Sequence, residues 1–118
     1  MVALGGNSLF PWGSLGAVGE QFSFTRMIME RLSEFILKDY NLCITHGNGP
    51  QVGNELLRMD LTNDVLPPLP LGICAANNHG QVGCVVQQTL QNKLRNLGVD
   101  REVMTLVKQV IADKMIKA

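Results

Sequence analysis

Charge of one sign is missing from this sequence: ten Lys and Arg offset ten Asp and Glu, leaving a formal net charge of zero. No overall field draws such a chain to nucleic acid or to an anionic membrane surface. There is no run of about eighteen apolar residues to span a bilayer, and no basic-then-apolar leader at the N-terminus. Cysteine is scarce. Cys43, Cys74 and Cys84 are odd in number, sit in apolar stretches and form no Cys-x-x-Cys pair, which excludes a disulfide framework and a zinc site and makes a reducing cytoplasm the expected compartment. A Gly-x-x-x-x-Gly-Lys-Ser/Thr nucleotide loop is also absent, as are internal repeats, low-complexity tracts and interdomain linkers.

What remains suits one domain. A chain of 118 residues, 46% of them hydrophobic, buries roughly two thirds of the surface that its unfolded form exposes. The charges are unevenly spread. Residues 1–64 hold four basic side chains (Arg26, Arg31, Lys38, Arg58) against seven acidic ones, whereas the stretch from Lys93 onward is basic. A charged tail of this kind reads as a solvated face.

Two short apolar runs each end in a glycine loop. Met1-Val2-Ala3-Leu4 leads into Gly5-Gly6-Asn7, and Leu42-Cys43-Ile44-Thr45 leads into His46-Gly47-Asn48-Gly49-Pro50-Gln51-Val52-Gly53. Glycine lets backbone N–H groups approach an oxyanion without an intervening Cβ, and a helix beginning just beyond adds the positive end of its dipole. On its own the first motif fits a binding loop and a tight turn equally well; the second loop favours binding. Gly5, Gly6 and Asn7 would form one wall of a small-anion site. Gly47, Asn48 and Gly49 would form the other, with Asn48 able to take a left-handed conformation and still present its amide.

Between the loops, residues 10–16 are punctuated by Pro11, Gly13 and Gly16 and read as loop. Phe24, Met27, Ile28, Arg31 or Leu32, Phe35 and Ile36 then recur at helical spacing, with Ser23 or Thr25 available as a cap. Strand, loop, helix and strand in that order describe a βαβ unit, so the two strands should pair in parallel with both loops facing one crevice. Pro50 can open a second helix running to about Leu61, and the proline-rich stretch 65–72 is a stiff internal loop. Val82, Val85 or Val86, Leu90, Leu94 and Leu97 mark the longest helix, from about Ala75, with Gly98 as its stop. Residues 103–111, rich in apolar and β-branched side chains, read as a third, largely buried strand. The expected fold class is α/β, a three-layer αβα unit with a mainly parallel sheet.

The run Val2-Ala3-Leu4-Gly5-Gly6-Asn7-Ser8-Leu9, the block from Ile44 to Gly53 and the later Gln87-Gln88-Thr89-Leu90-Gln91-Asn92 resemble carbamate kinase, within the amino acid kinase family. The likeness runs from Met1 to about Asp113. It implies a truncated amino acid kinase fold, with residues 1–118 as an N-terminal, acceptor-binding portion whose nucleotide-binding C-terminal counterpart lies beyond the chain. It implies reversible phosphoryl transfer between ATP and carbamate, mainly toward ATP from carbamoyl phosphate and ADP as in arginine catabolism, with Mg2+. Gly5, Gly6, Asn7, Gly47, Asn48 and Gly49 take the substrate-binding role by resemblance. The family's catalytic lysines fall past the last residue, so no catalytic residue is assigned, and the chain alone is expected to be inactive. A small-molecule substrate and a homodimer complete the implication.

Phosphoryl transfer needs cations around the transferring group, and neither glycine loop holds a Lys or Arg. Lys108 stands where the family has Thr before Gln-Val; it could supply a local cation, but an exposed or strand-edge lysine is the plainer reading. The loop after Asn7 lacks the family's arginine, and residues 114–118 leave the family pattern. His46 could act as an acid or base but is better read as making an orienting hydrogen bond, since carbamate is already a competent nucleophile. His79 reads as a cap near the start of the long helix. Two alternatives stand beside the enzyme reading: a catalytically inactive binding or interaction module with an uncovered sheet edge, and a related amino acid kinase with another carboxylate acceptor.

Overall fold

A computed structural model describes residues 1–11 and 13–111. Its elements in chain order are β1 (Val2–Leu4), α1 (Gly6–Leu9), α2 (Val18–Arg31), α3 (Ser33–Leu37), β2 (Ile44–His46), α4 (Gly49–Thr62) and α5 (Leu71–Asn96). The two strands pair in parallel, in the register Val2↔Ile44, Ala3↔Thr45 and Leu4↔His46. A parallel pair needs a crossover connection, which α2 and α3 provide. The βαβ expectation is met.

Strand alternation sets the faces. Leu4 is buried, and Val2 and Ile44 pack on the same core as Leu9, Met29, Leu32, Ile36, Val82, Val86, Leu90 and Leu94, while Ala3 and Thr45 on the opposite face are exposed. Each fully buried aliphatic side chain of this core contributes about 1.5–3 kcal/mol relative to exposure. Helices α2 and α5 supply most of it. Two polar residues enter this interior by satisfying themselves: Thr25 Oγ1 donates to Gln21 O at 2.6 Å and Thr89 Oγ1 to Val85 O at 2.8 Å. Each bonds back one turn along its own helix.

The helix between the strands differs from expectation at its start and in being divided. It starts at Val18, not near Ser23, and its N-cap Ala17 makes no side-chain cap bond. Gly16 turns the chain with φ +77, and Gln21 Nε2 donates to Gly16 O at 2.9 Å, so the turn is fastened from within the helix. Around Leu32 the run divides into α2 and α3. Helix α5, 26 residues long, starts at Leu71, immediately after Pro70. Its end is as expected: Gly98 has φ +71, its N–H donates to Arg95 O, and Val99 N–H donates to Leu94 O. These two bonds form a Schellman stop, in which a residue without Cβ takes the left-handed position.

The third strand is not formed. Residues 101–111 have no regular secondary structure and no backbone bond to β2. Side chains of α5 hold the segment instead. Gln91 Oε1 accepts from Val103 N–H at 3.0 Å, and Thr105 Oγ1 lies 2.7 Å from Gln87 Oε1 and 3.1 Å from Gly83 O. The bond to Gln91 occupies the N–H of Val103 and fastens the start of the segment to α5, and Met104, Leu106, Val110 and Ile111 remain between 78% and 97% exposed. Residues 114–118, which leave the family pattern, lie outside the described residues.

Candidate functional site

Because β1 and β2 are parallel and in register, their carboxyl ends deliver the two glycine loops to the same edge. The loops touch. A Cβ on Gly6 would sit 3.1 Å from Pro50 Cδ, so that position exploits the missing side chain, while one on Gly47 would sit 3.8 Å from Gly6 N, an ordinary contact. All six residues expected to bind substrate (Gly5, Gly6, Asn7, Gly47, Asn48 and Gly49) are therefore gathered at one place. Gly5 precedes α1 as its N-cap, and Asn48 precedes α4, which has Pro50 in its first turn.

Their donors are not all free. Gly47 N–H donates to Leu4 O at 3.4 Å, extending the strand pairing by one residue. The side chain of Asn48 reaches across to α5, where Nδ2 donates to Ala75 O at 3.2 Å. Asn48 does not take the left-handed conformation: its φ is −148 at the N-cap position of α4. Backbone N–H groups of Gly6, Asn7, Asn48, Gly49 and Gln51 have no partner among the described residues. These five, clustered at the starts of two helices, are the donors that a small anion would meet.

Two histidines stand beside the second loop. His46 Nδ1 lies 3.1 Å from Gly47 O, the orienting contact expected of it. His79 is not a cap, since α5 begins eight residues earlier at Leu71; its ring meets His46 edge-on, with centroids 6.4 Å apart and planes at 79°. Lys108 is exposed and shares a groove with His46, Ile44 and Leu106. Neither glycine loop itself contains a charged residue.

A polar seam between α4 and α5 was hidden in the sequence. Glu55 accepts from Asn77 Nδ2 at 3.0 Å and from Asn78 Nδ2, while Asn78 Nδ2 also donates to Cys74 O at 2.7 Å. Gln51 is 2% exposed, and neither atom of its amide finds a partner among the described residues. Burial, followed by the neighbouring Glu55 carboxylate, pushes the Cys74 thiol above its ordinary value of 9.0. The signal was the spacing: Asn48, Gln51 and Glu55 recur at helical intervals along one side of α4, as Cys74 and Asn78 do on α5.

No family model matches the chain. Curated relatives do: carbamate kinase of Pyrococcus horikoshii is 40% identical over 116 residues and that of Thermococcus kodakarensis 42% over 117, each alignment covering 97% of this chain. Its relatives are carbamate kinases. The chain spans about 37% of the length of each of these relatives. A solved structure of Giardia carbamate kinase superposes with a TM-score of 0.87 at 27% identity, over 97% of this chain and 39% of that one. The architecture is thus the amino acid kinase fold of carbamate kinases in truncated form, with a short parallel sheet and flanking helices. Within it the glycine loops hold the edge where the strands end.

Proposed function

We propose that the chain forms the acceptor site of a carbamate kinase-like phosphotransferase, with Gly5, Gly6, Asn7, Gly47, Asn48 and Gly49 binding carbamate or carbamoyl phosphate. The observation that carries this is the direct contact of two glycine loops at the ends of adjacent parallel strands, with five unpaired backbone N–H groups around them. Neutral, rigidly held donors suit a planar anion and stabilise charge without reorganising during transfer. The likeness to proteins named carbamate kinase supplies the acceptor's identity.

The reaction is reversible transfer between ATP with carbamate and ADP with carbamoyl phosphate, running toward ATP in arginine catabolism. By resemblance the main Mg2+–nucleotide-binding half is C-terminal to the acceptor portion. Among the described residues no three His, Cys, Asp or Glu are grouped to hold a metal, and the loops carry no cation for a transferring phosphoryl group. The role assigned here is therefore binding and orientation, within a cytoplasmic protein whose complete form is a homodimer. No helix among the described residues is long and apolar enough to cross a membrane.

Titrating the isotope-labelled chain with carbamoyl phosphate tests the proposal. Shifts confined to the amides of the two loops, together with no ATP formed from ADP, are the expected result. A non-catalytic interaction module is the second reading, favoured by the uncovered Met104, Leu106, Val110 and Ile111. It requires a defined oligomer in light scattering and no loop shifts, an outcome that would sink the acceptor-site proposal.

A further inference from the structure

The backbone of Gly47 is fastened at both ends: its N–H to Leu4 O, and its C=O to His46 Nδ1. A carbonyl oxygen can only accept, so Nδ1 is the donor, and in neutral imidazole Nε2 carries the lone pair. The peptide between Gly47 and Asn48 is planar and trans, which sets the Gly47 C=O and the Asn48 N–H in opposite directions. Holding the carbonyl therefore aims the amide. That N–H has no partner among the described residues, and it precedes the equally unpaired Gly49 N–H at the start of the 14-residue helix α4. The bond from His46 lies where water can compete, but the His79 ring on α5 stands beside the imidazole in a T-shaped pair, centroids 6.4 Å apart. Such aromatic pairing restricts the rotamers that the ring can adopt.

We infer that His46 is a positioning residue whose Nδ1–H, buttressed by His79, fixes the Gly47–Asn48 peptide so that the Asn48 N–H faces the bound anion. The inference rests on the reading of the loops as an acceptor site and adds the device that sets their donors. No proton leaves the histidine, and no bond to it forms or breaks during transfer.

Two variants separate positioning from bulk. In His46→Asn the side-chain Nδ2 falls near the place of the imidazole Nδ1 and keeps the donor; in His46→Leu the volume is kept and the donor lost. For the 118-residue chain, His46→Leu should weaken carbamoyl phosphate binding about three- to tenfold, the worth of one net hydrogen bond, with His46→Asn within about twofold of native. Long-range proton–nitrogen spectra of the neutral imidazole should show the proton on Nδ1. A proton on Nε2, native affinity in His46→Leu, or an Asn variant no better than the Leu variant would each overturn the inference. If the native chain binds no carbamoyl phosphate, the acceptor-site reading falls by itself. The tautomer, and the Asn48 amide shift in the Leu variant against the Asn variant, then still decide the positioning role.

Discussion

The two glycine loops are alike in composition and unlike in how they are held. Gly5-Gly6-Asn7 leads into a helix of four residues, and Asn7 is exposed with its amide free of any partner among the described residues. Gly47-Asn48-Gly49 leads into a helix of fourteen and is fixed at three points: to Leu4 through Gly47 N–H, to His46 through Gly47 O, and to Ala75 through the Asn48 side chain. Loops of similar sequence thus divide the work. In the proposed acceptor site, the second loop is the more firmly held wall, and the first is held by fewer bonds to the rest of the molecule.

The strongest way to break this arrangement is at the contact between the loops. Replacing Gly6 with Val puts a branched side chain where even a Cβ comes within 3.1 Å of Pro50 Cδ. Overpacking of this kind costs about 1–3 kcal/mol, so urea midpoints should fall and carbamoyl phosphate shifts should vanish from both loops together. Shifts that persist in the second loop alone would show that the walls act independently.

A finer comparison pits the two asparagines against each other. Asn48→Ala loses the bond to Ala75 and should destabilise by about 1 kcal/mol, whereas Asn7→Ala should stay within about 0.5 kcal/mol of native in the same urea series. Equal effects would erase the distinction between the more and the less firmly held wall.

The smallest effect comes from the seam that anchors the second wall. The folded Cys74 thiol holds its proton more tightly than the unfolded one, so its contribution is complete below the ordinary thiol value of 9.0 and is lost as pH rises through the raised folded value. Stability measured by urea unfolding should decline over that alkaline range, and Cys74→Ser should flatten the decline. An unchanged slope in the serine variant would remove Cys74 from the account.

Much of this was legible in the sequence, for local reasons. Short apolar runs closed by glycine announce strands and loops, Pro50 marks a helix start, and Gly98 marks a stop that needs positive φ. Long-range pairings were not legible. Nothing near His46 or His79 tells that the two rings come together, and the burial of Gln21, Thr25, Gln51 and Asn78 is not legible locally because it depends on elements distant in the chain. Residues 103–111 carry a strand's composition but meet the amide of Gln91 before any strand edge. Local propensity lost there to a tertiary contact.

The parallel pairing of β1 and β2 also has a kinetic side. It joins segments about forty residues apart through only three residues on each strand, so the ladder alone cannot repay the entropy of closing so long a loop. That debt is met by α2 lying against α5, whose contacts must be in place before the chain's two ends of this loop stay together. The proposed acceptor site accordingly depends on packing that lies well away from its own loops. Whatever prises those two helices apart dissolves it without touching a glycine.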